Sequence, residues 1–89
     1  RVVEWKLHGA ATEQVVALDV TPGVELTIGD VQPTSEDFTF RLETVTAGQH
    51  YRLHLTPKDM AKPANAAFRI NAQSPAGHDL VFSAYANVR

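Results

Sequence analysis

Along most of the chain apolar side chains recur at every second position, the period of a strand with one face buried and the other wet. Val3, Trp5 and Leu7 alternate with Glu4, Lys6 and His8. Val16, Leu18 and Val20 alternate with Ala17 and Asp19, and Val24, Leu26 and Ile28 follow the turn Thr21-Pro22-Gly23. In that turn proline presets one dihedral and glycine accepts a positive φ. Phe38, Phe40 and Leu42 alternate with Thr39, Arg41 and Glu43, and Tyr51, Leu53 and Leu55 with His50, Arg52 and His54. Phe68 and Ile70 alternate with Arg69 and Asn71. The last run sets Leu80, Phe82, Ala84, Ala86 and Val88 on one face, with Val81, Ser83, Tyr85 and Asn87 on the other.

These are seven strands, separated by breakers at Gly9, Pro22-Gly23, Pro33, Gly48, Pro57 to Pro63 and Pro75-Gly77. Short strands at this spacing, each with one apolar face, predict a seven-stranded antiparallel Ig-like β-sandwich, all-β in class. The inward faces predict a core of Trp5, Leu18, Leu26, Phe40, Tyr51, Leu53, Ile70 and Phe82. Residues 58–62 carry helix formers, but Pro57 and Pro63 bracket them. Little more than one turn fits there, so a 3₁₀ turn or a loop crossing between the sheets is expected.

Composition narrows the classes without pointing to one. At 89 residues the chain has room for one domain, residues 1–89. A hydrophobic fraction of 44% and a charged fraction of 20% are globular values rather than those of a disordered chain. Eight basic against ten acidic residues give a net charge of −2, which predicts no nucleic-acid partner and no anionic membrane surface. With no cysteine, disulfides, thiolate metal sites and cysteine nucleophiles are excluded. No apolar run reaches the about 18 residues of a membrane span. The chain opens on Arg1 and its one methionine is Met60, so it reads as a piece of a longer polypeptide.

Each candidate for chemistry has a plainer structural explanation. His50, Arg52 and His54 share one face of a strand, but the two imidazoles lie roughly 13 Å apart at about 3.3 Å per residue, too far to share an ion. A metal site would need His8 or His78 from elsewhere and a carboxylate, so a solvated outer face is expected and no metal. Ser74, Ser83 and His78 could suggest a nucleophile and base, yet no Gly-x-Ser-x-Gly elbow is present, and serines in such turns satisfy local backbone. Asp30, Glu36 and Asp37 are too dispersed, with Pro33 among them, for a calcium loop. Gly9, Gly29 and Gly48 have no phosphate-binding spacing, so no cofactor and no catalytic residue is expected.

Three aromatic or apolar positions carry more information. Trp5, alternating with Glu4 and Lys6, should plug the core. Tyr51, three residues after Gly48, fits a corner motif in which the ring packs and the hydroxyl bonds to backbone. Val81 and Tyr85 lie opposite Phe82 and Ala84, and should be partly exposed. From Leu80 to Val88 the last strand lacks the charges and prolines that normally protect an edge, so it is either internal to its sheet or an edge covered by a neighbour. In the second case Val81 and Tyr85 are a possible interface.

The pattern resembles bacterial Ig-like modules of the domain-of-unknown-function family 1573, and more loosely ASH and HYDIN-type sandwiches. The likeness rests on Trp5 in the first strand, the Ile28 and Val31 step, the segment from Ala47-Gly48 through Tyr51, Leu53 and Leu55 to Pro57, and Phe68-Arg69-Ile70-Asn71-Ala72. The family often carries a cysteine-containing turn that this chain lacks. The resemblance implies a periplasmic, cell-surface or secreted bacterial protein and no activity. The expected function is a non-catalytic structural or protein-interaction module, its partner another protein or a neighbouring domain. A carbohydrate-binding or accessory sandwich of a larger enzyme is the alternative. It would need two or three coplanar exposed aromatic rings, where only Tyr85 is a good candidate.

Overall fold

The computed structural model describes all residues from Arg1 to Arg89. Seven strands form in chain order: β1 (Val2–Trp5), β2 (Gln14–Asp19), β3 (Thr27–Pro33), β4 (Phe38–Thr46), β5 (His50–Pro57), β6 (Ala64–Gln73) and β7 (Asp79–Val88). They make one four-stranded sheet, β1-β7-β6-β3, and one three-stranded sheet, β2-β5-β4. No helix forms. Residues 58–62 are an irregular loop carrying the chain from the smaller sheet to the larger one.

One core joins the two layers. The larger sheet contributes Trp5, Ala66, Phe68, Ile70, Ala84, Ala86 and Val88, and the smaller contributes Val16, Phe38, Leu53 and Leu55. Phe38 stacks at a tilt on Trp5 with ring centroids 5.6 Å apart, and Phe68 meets Phe38 and Phe40 edge-on at 6.3 and 5.7 Å. Alanines on β6 and β7 face these rings, so bulk on one side is matched by small residues on the other. Trp5 is buried as its alternation predicts, and its indole N–H donates to the Thr12 carbonyl at 2.5 Å.

Three expectations need correction. The sheets are not all antiparallel, because β1 runs parallel to β7 with Val2 beside Tyr85 and Trp5 beside Val88. β1 has no hairpin partner next to it in sequence. In this register Trp5 enters the end of the core lined by Val88 and Phe38. Phe40 and Phe82 are not core residues: they are 40% and 39% exposed. Both alternate in step with buried residues of their strands, Phe38 and Ala84, but Phe40 is covered only in part although it meets Phe68 edge-on, and Phe82 lines a cleft between the layers. Finally, the third strand starts at Thr27, and the segment of Val24 to Leu26 is a loop. Leu26 is nevertheless buried, held by the corner described below.

Candidate functional site

β7 is a strand of two halves. Along its whole length it pairs with β6, from Asp79 beside Gln73 to Val88 beside Ala64. On its other side β1 covers only Tyr85 to Val88. The Tyr85 N–H donates to the Arg1 carbonyl at 2.8 Å, and that lane holds no strand beside residues 79–83. The last strand is thus internal in its second half and an open edge in its first.

The side chains of the open half are apolar on both faces. Outside, Val81 and Tyr85 are 53% and 46% exposed, and Val2, in register with Tyr85, extends the strip. Val2 escaped the sequence reading because its exposed position on a four-residue strand follows from the parallel register alone. Inside, Leu80 and Phe82 continue the row of Ala84, Ala86 and Val88, but the smaller sheet no longer covers them. The two layers part there around a cleft of about 300 Å³. Leu18, Val20, Leu26, Ile28 and Phe82 line it, with Arg1 and Asp19 at the rim.

The cleft wall is fixed by Tyr51. Its ring is buried, its hydroxyl donates to the Leu26 carbonyl at 2.6 Å, and it accepts the Gly48 N–H at 2.8 Å. The Leu26 N–H in turn donates to the Gly48 carbonyl at 3.0 Å. Gly48 takes a φ of +78° at this tight turn, a conformation that favours glycine. Leu26 is therefore pinned to the β4–β5 hairpin from two sides.

On the outer face of the smaller sheet, His54 lies between two carboxylates. Its Nδ1 is 2.8 Å from Glu13 and its Nε2 is 2.8 Å from Glu43, and only 11% of its side chain is exposed. The bond with Glu43, and then that with Glu13, raises its pKa against some desolvation. The same bond from His54 holds the Glu43 carboxyl below its ordinary value. His50 pairs instead with Asp19 at 2.9 Å. The histidines of the outer face are thus hydrogen-bonded to carboxylates, and Glu13 and Glu43 are partners the spacing of β5 could not disclose. The two carboxylates sit on opposite edges of one ring, so they do not converge on a point. No three His, Asp or Glu side chains are grouped to hold one ion.

The remaining polar candidates are taken up locally. Ser74 closes the β6–β7 turn, where its Oγ accepts the His78 N–H at 3.2 Å and its own N–H donates to the His78 carbonyl at 3.0 Å. Ser83 stands apart from both, on the rim of the cleft. Asp37 caps a turn with Ser35, and Asp30 accepts side-chain amides of Gln32 and Asn71.

No helix of the chain is long and apolar enough to cross a membrane. No family model, no curated protein and no solved structure matches the chain.

Proposed function

We propose that the chain is a non-catalytic Ig-like module of a bacterial extracytoplasmic protein, similar to the domain-of-unknown-function family 1573, and that it binds another protein or a neighbouring domain through β7. One observation carries the reading: β7 exposes Val81 and Tyr85 on its outer face, with Val2 in register beside Tyr85, so three apolar side chains form one exposed strip. The strand order supports the Ig-like part. Taken by position in the chain, the second, fifth and fourth strands face the third, sixth and seventh, the division of an immunoglobulin sandwich, with the first strand moved to the edge of the seventh. A periplasmic, cell-surface or secreted setting follows from the resemblance.

Selection from a displayed random-peptide library against the immobilised domain tests the reading. Ligands should emerge that lose binding to a Val81→Asp, Tyr85→Asp double variant and keep it for Arg52→Glu on the opposite sheet. Ligands that ignore the double variant would refute it.

A further inference from the structure

We infer that the free edge of β4 pairs with β4 of a second copy of this chain, antiparallel and centred on Leu42, joining the two smaller sheets into one. β4 is an outer strand of its sheet, with β5 on one side and no strand on the other. From Phe38 beside Pro57 to Thr44 beside Tyr51 its register with β5 runs unbroken, and a bulge at Val45 ends the row. The Lys58 N–H donates to the Asp37 carbonyl at 2.9 Å, which sets the phase of the ladder. Bonded and non-bonded pairs alternate along an antiparallel ladder. Thr39, Arg41 and Glu43 therefore bond to β5, while Phe40, Leu42 and Thr44 turn their N–H and C=O groups into the open lane. Pro57, which has no N–H to give, lies opposite Phe38 at a non-bonded position, as this phase requires.

The charges beside that lane name the occupant. Arg41 and Glu43 flank Leu42 on the outer face, and Arg41 forms no ion pair within its own chain. Glu43 gives Oε1 to His54 at 2.8 Å and has a second oxygen to offer. When a second β4 lies antiparallel with Leu42 opposite Leu42, each Arg41 stands across from the other copy's Glu43. These are non-bonded pairs, with Cα atoms about 4.5 Å apart and side chains in reach of each other. Phe40 and Thr44 then exchange backbone bonds with Thr44 and Phe40 of the other copy. A slip of two residues either way sets Arg41 against Arg41 or Glu43 against Glu43, so charge selects this register. Charges on an edge normally turn other strands away, and here they match a second copy of the same strand. On the inner face Phe40, 40% exposed, and half-buried Leu42 gain cover from their counterparts. Val81 and Tyr85 lie on the other sheet, so the contact leaves them free and stands apart from the reading of β7.

The test is sedimentation of the whole chain over a concentration series, with charge reversals at the two positions. One strand edge buries less than a standard interface, so a dissociation constant on the order of 0.1 mM is expected. Arg41→Glu alone and Glu43→Arg alone each set like charges face to face twice per dimer, and each should weaken association by roughly tenfold or more. An equal mixture of the two variants should associate again, as heterodimers, because every facing pair is then of opposite sign. The double variant Arg41→Glu, Glu43→Arg should dimerise like the unaltered chain. Glu43 also serves His54, so the mixture and the double variant separate loss of the contact from damage to the fold. In amide exchange, Phe40, Leu42 and Thr44 should slow as protein concentration rises, while Thr39, Arg41 and Glu43, already bonded to β5, should not change.

A chain that stays monomeric up to about 1 mM, ten times the expected constant, overturns the inference. Association that both single reversals leave intact, or a mixture that fails to associate, overturns it as well. Dimers lost in the Val81→Asp, Tyr85→Asp double variant but kept in Arg41→Glu would put the contact on the larger sheet, removing the β4 pairing and leaving the reading of β7 in place.

Discussion

The two ends of this molecule share strands and alternation but differ in cover. At one end Trp5, Phe38 and Phe68 pack against Ala66, Ala84, Ala86 and Val88, and every one of these residues is at most 5% exposed. At the other, Leu80 and Phe82 continue the same inward row and are each 39% exposed. Hydrophobicity does not separate them, for the open end carries the larger side chains on β7. The difference lies in the neighbours: β1 flanks β7 only from Tyr85 onward, and β2 stops at Asp19. An inward direction does not by itself bury a side chain, and an edge strand does not by itself expose one: Trp5, Val16 and Phe38 lie on edge strands and are at most 5% exposed, whereas Phe82 borders the cleft.

The largest effect should fall at the closed end. Phe68→Ala removes a ring with no exposed surface and should cost about 3–5 kcal/mol in urea unfolding. For a domain of about 5–15 kcal/mol total stability this threatens folding itself. Phe82→Ala, on an inward face that is open, should cost about 1–2 kcal/mol, since only part of its apolar area leaves water on folding. Equal losses at the two positions would break the comparison, because they would mean that the cleft is closed in solution.

Tyr51→Phe should come between these two, at about 2 kcal/mol. The substitution keeps the ring and strips the hydroxyl that serves both the Leu26 carbonyl and the Gly48 N–H, leaving both groups without that partner. Leu26 should loosen, and the open end should show it first. Faster exchange at the Leu26 amide with little change at Phe68 would sharpen the contrast, whereas uniform acceleration would mean that the corner supports the whole fold.

What the sequence disclosed, and what it did not, follows from range. Period-two alternation placed the inward faces of β2, β4, β5, β6 and β7, and it placed Trp5 and Tyr51 in the core, because facing is a local property of a strand. Exposure at Phe40 and Phe82 is not local: it depends on which strand lies alongside and where that strand ends. The parallel β1–β7 pair was illegible for the same reason, as no turn joins two strands at opposite ends of the chain. Val81 and Tyr85 were readable as outward groups, but that Val2 joins them follows only from the parallel register of β1 with β7. Glu13 and Glu43, separated from His54 by 41 and 11 positions, reach it only through strand register.

The smallest effect should come from the outer face of the smaller sheet, where solvent screens the charges around His54. Glu13 and Glu43 bind its ring from two sides, while Arg41, directly across on β4, opposes its charge and Arg52 favours the Glu43 carboxylate. The pKa of His54 is raised on folding, so its stabilising contribution is complete below the ordinary histidine value of about 6.5 and fades as pH climbs through the raised one. Glu43 works in the opposite sense. Its pKa is lowered, so its contribution is present above the ordinary glutamate value of about 4.3 and fades as pH falls through the depressed one. The pair therefore favours the fold most between these two ordinary values. Thermal unfolding scanned from pH 4 to 9 should show the melting temperature declining above the histidine value, and His54→Gln should flatten that decline. Glu13→Gln should reduce the decline without abolishing it, because Glu43 still holds the other ring nitrogen. A decline untouched by His54→Gln would assign the pH dependence to other groups and leave the outer face without a measurable part in stability.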